Sequence, residues 1–279
     1  MEQRDLIIGC ASNYNWNQLK YWVNSINQSG FEGEKVLILM NADRETCQKV
    51  NEAGFKIIGF QQDAEGNLVH KSDIMVHVER FLHLYRLLSQ TNYRYVITTD
   101  VRDVVFQKNP IEWIENSLGD RAMIFSSESI KYKDEPWGNQ NLLETYGPFI
   151  HNVFKENEIF NVGVLAGRAE YLRDLCLNIF VASTNSPISI CDQSTFNFLI
   201  SQHPYTDLNL YAKSENGWAC QLGTTADPTK LEQFKPFLLE DLPKMEGDKV
   251  VTSTGLEYTI VHQYDRVPEW RKLIEKKYG

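Results

Sequence analysis

The sequence predicts an α/β protein with a mostly parallel central sheet flanked by helices. Three features predict it. Short apolar runs rich in β-branched residues alternate with amphipathic stretches in the first half of the chain, the runs end in polar residues, and the amphipathic stretches repeat their apolar positions at helical spacing.

The elements follow in order. "LIIGC" is the first strand, 17–28 the first helix, "KVLILM" the second strand, 44–53 the second helix, "FKIIGF" the third strand, 74–90 the third helix and "YVITT" the fourth strand. Within 74–90, His77, Phe81, Leu84, Leu87 and Leu88 make an apolar stripe that reads as core, with Arg80 beside it. After "AMIFSS" the pattern weakens over 128–158, where Pro136, Gly138, Gly147 and Pro148 interrupt an aromatic-rich stretch, so an irregular lid or insertion is expected there. "IFNVGVLAG" resumes strand character, and helices are expected over 170–182 and 192–201. The stretch 210–249 has no clean period, "YTIVHQYD" reads as a last strand, and a helix runs from 269 to the end.

Apolar residues make up 42% and charged residues 23% of the 279, which excludes wholesale disorder and a fibrous repeat and points to one globular domain over 1–279. The formal charge of −9, with no basic cluster before "WRKLIEKKY", excludes nucleic acid as the main partner. Five scattered cysteines without a Cys-x-x-Cys pair favour neither a disulfide framework nor a zinc site, and a cytoplasmic location fits them best. The N-terminus carries Glu2 and Asp5 and turns polar after about six apolar residues, so neither a signal peptide nor an anchor is expected, and any membrane contact would be peripheral.

Ligands of parallel α/β sheets gather beyond the carboxyl ends of the strands. "ASNYN" after the first strand and "DVRD" after the fourth therefore carry the most information. In "RYVITTDVRDVVFQ", 94–107, an apolar run ends in Asp100-Val101-Arg102-Asp103. Two carboxylates held together repel unless a cation compensates. A tight turn brings its first and fourth residues within about 7 Å, so Asp100 and Asp103 can converge on one divalent ion, Mn2+ or Mg2+. The structural alternative is that Arg102 neutralises its neighbours while Asp103 or Asn109 caps a helix begun by Pro110. The segment by itself does not choose.

Set beside the strand-helix-strand half that precedes it, this acidic turn resembles the Rossmann-like GT-A fold of nucleotide-sugar glycosyltransferases, whose acidic D-x-D element binds a metal bridging the donor diphosphate. "VERFLHLYRLLSQTNYRYVITTDVRDVVFQKNP" is similar to the segment around that element, and Arg80 matches an upstream basic residue that contacts the donor. Three further segments resemble the retaining branch typified by glycogenin and lipopolysaccharide galactosyltransferases. "IFNVGVLAG" matches its F-N-x-G-V strand, mapping to Asn161 and Gly163, and "CDQSTFNFL" its D-Q-x-x-x-N helix start, mapping to Asp192 and Gln193. "IVHQYDRVPEW" matches its late H-x-x-G-x-x-K-P-W segment, which places His262 as a third metal ligand and Trp270 at the matching offset. The resemblance holds in order and approximate spacing over roughly 6–270. It departs where the second D-x-D aspartate would fall at Arg102, so that Asp103 must take over or metal dependence changes. It departs again at Asp265 and Pro268, which replace the late Gly and Lys and leave Arg266 to neutralise the diphosphate.

The resemblance implies a nucleotide-binding half, 1–106, and an acceptor- and sugar-binding half, 107–279. It implies transfer of a sugar from a nucleotide-diphosphate sugar to a glycan or glycolipid acceptor, metal-dependent and retaining. Ala11, Ser12, Asn13 and Tyr14 would meet the base and ribose, while Asp100, Val101 and Arg102 would lie along the donor. Asn161, Gly163, Asp192 and Gln193 would meet the sugar, and Arg80 and Asp192 would be catalytic. Trp137, Tyr146, Phe149 and His151 are candidates to stack on acceptor rings. Plainer readings stand beside these: Asn15 or Ser12 as a helix cap, Asp192 as an N-cap, Cys10 and Cys191 as buried inert thiols. A non-catalytic nucleotide- or carbohydrate-binding protein on the same scaffold, and an inverting enzyme with Asp192 as base, are the alternative functions. A sugar-nucleotide pyrophosphorylase is disfavoured, because "GCASNYNWNQ" has one glycine and no Arg or Lys.

Overall fold

The computed structural model describes residues 4–279; Glu2 and the rest of the first three residues lie outside the described range. Strand β1 (Arg4–Ala11), helix α1 (Trp16–Gln28), β2 (Glu34–Leu39), α2 (Arg44–Glu52) and β3 (Lys56–Ile58) alternate as expected. A small hairpin, β4 (Gln61–Gln62) and β5 (Leu68–Val69), precedes α3 (Val76–Gln90) and β6 (Tyr93–Thr99). Then come β7 (Val104–Phe106), α4 (Pro110–Ser117), β8 (Met123–Lys131), α5 (Pro136–Phe154), β9 (Glu158–Arg168), α6 (Ala169–Thr184) and α7 (Asp192–Ile200). The remainder is short pieces: α8 (Tyr205–Leu208), β10 (Asn209–Ala212), β11 (Ala219–Gln221), α9 (Leu222–Thr225), α10 (Leu231–Phe234), β12 (Lys244–Glu246), β13 (Lys249–Val251), β14 (Ile260–His262) and a closing helix α11 (Pro268–Tyr278).

Seven strands form the central sheet in the order β10-β8-β9-β6-β1-β2-β3. All neighbouring pairs are parallel except those of β9, which runs antiparallel to both β6 and β8. The strands read as unbroken apolar runs because both faces are covered. Successive side chains point to opposite faces. Ile7, Leu37, Leu39 and Ile97 therefore pack with Leu19, Trp22 and Val23 of α1 on one side. Leu6, Ile8, Ile38 and Val96 pack with Phe81, Leu84 and Leu88 of α3 and Leu172 and Ile179 of α6 on the other. The predicted stripe of α3 is thus core at Phe81, Leu84 and Leu88, while His77 is exposed.

Strand order reverses between β1 and β6: the chain steps outward through β2 and β3, then returns to the other side of β1. Crevices form at such points. A second, three-stranded sheet, β11-β14-β7, stands beside it and begins where β6 and its acidic turn end.

The segment 128–158 corrects the expectation of an irregular lid. Most of it is α5, which starts at Pro136 and is capped by the Glu135 carboxylate accepting from the backbone N–H groups of Trp137 and Gly138. Gly147, at φ 74°, and Pro148 break it into two short helices, and those two residues make it look like loop in the sequence. Among the described residues no helix is long and apolar enough to cross a membrane. All five cysteines are free.

Candidate active site

Strand ends place the acidic turn. Asp100 follows β6 directly, and its backbone N–H donates to the Gly163 carbonyl of β9 at 2.8 Å. Three residues on, Asp103 precedes β7, and β7 pairs antiparallel with β14 in a register that sets Val104 opposite His262. That register brings the late histidine beside Asp103. On the far side of β14, the parallel partner β11 sets Gln221 opposite His262, and the Gln221 Oε1 lies 2.7 Å from His262 Nδ1. The amide oxygen only accepts, so Nδ1 carries the proton and Nε2 faces the two carboxylates.

His262 Nε2 lies 3.5 Å from Asp100 Oδ2 and 3.7 Å from Asp103 Oδ1. One ligand atom from each of Asp100, Asp103 and His262 lies within 4.8 Å of the others. An uncharged imidazole would aim a lone pair at two carboxylates, an arrangement that needs either a proton on Nε2 or a cation between the groups. Two carboxylate oxygens and an imidazole with its second nitrogen already fixed fit a divalent cation.

The cluster perturbs its own titration. Burial would lower the His262 pKa, but the Asp100 and Asp103 carboxylates outweigh it and raise it. Burial also works to raise Asp100, yet Arg80 and His262 hold its carboxyl well below the usual range. Asp103 goes the other way, raised chiefly by burial. Arg80, 8% exposed, donates to Asp100 and, at 3.2 Å, to Asp192 Oδ2. It is the buried cation between two carboxylates. Burial raises Asp192 despite Arg80, and the Cys10 thiol, only partly buried at the edge of the cleft, is pushed up to about 12 chiefly by desolvation.

The capping and ion-pair contacts of the plainer reading form without separating the two carboxylates. Arg102 pairs with Asp103 at 3.4 Å and with Asp265 at 3.2 Å, and Asn109 caps α4 through Ile111 N–H, while Asp100 and Asp103 still converge. The N-cap of α7 is Cys191, not Asp192, whose carboxylate is turned to Arg80 instead. Asn15 is the N-cap of α1, as its plainer reading had it.

The cleft has two adjoining hollows that share His77, Arg80, Asp100, His262, Gln263 and Arg266. The first, of about 410 Å³, is lined by Ala11, Ser12 and Tyr14 together with Val101, Arg102 and Asp103. The second, of about 440 Å³, is lined by Asn161, Gly163, Asp192 and Gln193 and edged by Trp137. Asn13 stands apart from both. At φ 61°, it donates its backbone N–H to Asn41 O and its side-chain amide to Ser12 Oγ. Trp137 is 54% exposed at the second hollow, whereas Tyr146 is packed on Phe198, 4.7 Å between ring centroids, and His151 is bound to Asn139.

Sequence reasoning missed Glu128, Gln221 and Gln263. Glu128 is buried under the second hollow, its pKa raised by burial, and accepts from Asn161 Nδ2 at 2.7 Å. Asn161 in turn accepts from Gly163 N–H. A Cβ on Gly163 would lie 2.6 Å from His262 Cε1 and 2.8 Å from Asp100 Oδ2. Gly163→Ala is therefore expected to spread the three donor groups and weaken stabilisation by Mn2+ about tenfold or more, while circular dichroism stays unchanged. An unaltered Mn2+ response would show that the cluster does not bind as a unit.

No protein-family model matches the chain, and no curated protein matches it in sequence. Solved structures do match in fold. The apo structure of the bifunctional glycosyltransferase WbbM aligns with a TM-score of 0.60 at 10% identity, over 100% of this chain and 51% of that one. The glycosyltransferase GlyE of Streptococcus pneumoniae TIGR4 aligns at 0.53 and 13% identity, over 99% and 63%. The galactosyltransferase LgtC, solved with donor and acceptor sugar analogs, aligns at 0.55 and 12% identity, over 97% and 95%. The chain thus spans about half of WbbM and under two thirds of GlyE, but nearly all of LgtC. The fold class read from the sequence, a Rossmann-like α/β architecture of the glycosyltransferase type, is borne out.

Proposed function

We propose that this chain is a glycosyltransferase that moves a sugar from a nucleotide-diphosphate sugar to a glycan or glycolipid acceptor. The observation that carries the reading is the convergence of Asp100, Asp103 and His262 at the junction of the two hollows, beside buried Arg80. A donor would lay its nucleotide along Ala11–Tyr14 and Val101–Arg102, its diphosphate at the junction, and its sugar against Asn161, Gly163, Asp192 and Gln193. Asn13 would contribute by shaping the turn.

Asp100, Asp103 and His262 would hold Mn2+ or Mg2+, which when bound supplies Lewis-acid stabilisation of charge on the leaving diphosphate. Arg266, exposed and lining both hollows, would meet the same phosphates. Arg80 fixes Asp100 and Asp192 so that cluster and sugar site keep one geometry. The buried ion pair with Arg80 also favours a positioning role for Asp192 over that of a base toward the acceptor, which supports retention over inversion. Exposed Trp137 would carry the acceptor ring.

We take 1–279 as one such domain, since the central sheet draws strands from both sides of residue 106. Its five free cysteines fit a cytoplasmic setting. The test is a panel of UDP-, GDP- and CDP-sugars assayed for transfer and hydrolysis with and without Mn2+. One donor class should turn over with the metal, and Asp103→Asn should reduce that turnover by about 100-fold or more. Donor binding without metal-dependent turnover, alike in both proteins, would identify a binding protein instead.

A further inference from the structure

A second group of ligand-type side chains lies away from the acidic cluster and has no part in the proposed transfer. Glu79 and His83 occupy one face of α3, four residues apart, and His70 comes from the strand-end segment after β5. His70 Nε2 is 2.8 Å and His83 Nε2 3.4 Å from the same Glu79 oxygen, Oε1. One ligand atom from each of the three lies within 4.8 Å of the others.

Three features distinguish this from an ordinary histidine hydrogen bond. First, His83 Nε2, in a residue only 7% exposed, makes no well-formed hydrogen bond: the acceptor it faces is the Glu79 oxygen at 3.4 Å, which His70 already engages at 2.8 Å. A buried ring nitrogen with so poor a partner is a cost that a bound cation would relieve. Second, the rings are held in place before any ligand arrives. Phe60 packs against both imidazoles, 4.4 Å between centroids in each case, and the His70 backbone N–H donates to Asn41 Oδ1 at 2.8 Å. Third, tetrahedral zinc with ligand bonds of about 2.0–2.1 Å sets its ligand atoms roughly 3.3 Å apart. One of the two measured separations already has that value, and the other requires an opening of about half an ångström. Two imidazoles and one carboxylate are a donor set for zinc rather than for a hard cation.

We propose that His70, Glu79 and His83 form a zinc site that ties the segment 59–75 to the first turns of α3. The fourth position belongs to water, reaching the ion past His70, whose side chain is 17% exposed. Lys71 to Met75, all exposed, lie between the His70 ligand and the helix, so zinc would close a loop around them.

The test uses the full chain carrying His262→Gln, which takes away the imidazole that zinc would need at the acidic cluster, stripped with a chelator and dialysed against Zn2+. One equivalent of zinc should remain after dialysis, and trypsin should cut after Lys71 several-fold more slowly with zinc than without. Adding His70→Ala, with circular dichroism as the check that the fold survives loss of a Glu79 partner, should weaken zinc binding by more than the roughly 10–100-fold typical of changes outside the ligand set, and abolish the protection. No retained zinc in the His262→Gln protein, or retention undiminished by His70→Ala, would overturn the proposal. The readouts are stoichiometry and cleavage, so they stand whether or not sugar transfer is detected.

Discussion

Arg80→Met is expected to destabilise the protein by about 3 kcal/mol at neutral pH and to lower transfer about 100- to 1,000-fold. The guanidinium is nearly buried and is the shared partner of Asp100 and Asp192, of which Asp192 is 5% exposed. Methionine fills much of the same volume, so cavity formation contributes little. What remains is the cost of a buried carboxylate without its counterion. The pH dependence separates this from loose packing. Burial already raises the Asp192 pKa against the pull of Arg80, and removing Arg80 raises it further. A carboxyl whose folded pKa exceeds its unfolded value makes stability fall as pH rises between the two. The deficit of Arg80→Met should therefore shrink from pH 7 to about pH 5 in urea titrations. A deficit independent of pH would mean that Asp192 is not the group left stranded.

How much of this was legible before the structure depends on how each element announces itself. The strands that carry the acidic turn and Asn161 are apolar runs covered on both faces, so their ends could be placed to within a residue or two. Asp100 follows such an end and Asp103 closes the turn after it, whereas Asp192 opens a helix. Glu128 did not stand out, because β8 continues past "AMIF" through Ser126, Ser127, Glu128 and Ser129, four polar residues that are nonetheless buried. A strand that turns polar while staying inside looks like a strand that has stopped. Gln221 was invisible for a different reason. Its strand is three residues long and exists through pairing with β14, a contact 41 residues away that no local period encodes. The same limit applies to the His70–Glu79–His83 cluster. Glu79 and His83 share a helical face, but His70 joins them through the fold of a hairpin and the packing of Phe60. The meeting of Arg80, Asn161, Asp192 and His262 with the acidic turn is also chain-distant, and there a resemblance in motif order supplies what periodicity cannot.

Stabilisation by Mn2+ is expected to grow between about pH 6 and pH 8, and His262→Gln should abolish that growth. In the metal-free cluster the two carboxylates raise the His262 pKa against the opposing effect of burial, so its imidazolium persists to higher pH than that of a free histidine. A histidine raised in the folded state adds stability that is fully present below its unfolded pKa and is lost as pH rises through the folded one. A metal ion needs the same nitrogen unprotonated, so proton and metal compete. Below the raised pKa, each unit of pH costs a factor of ten in apparent metal affinity, about 1.4 kcal/mol. Above it the competition ends and the two carboxylates, now without their imidazolium, want a cation most. The melting-temperature shift produced by Mn2+ should thus be small near pH 6 and reach its plateau above the ordinary histidine range. Glutamine keeps the length and polarity at position 262 but binds no proton in this interval, so the shift becomes smaller and nearly flat with pH. Transfer in His262→Gln should fall about 100- to 1,000-fold, since charge on the departing diphosphate would lose its principal stabiliser. A Mn2+ response with the same pH slope in both proteins would place the ion elsewhere and remove His262 from the site.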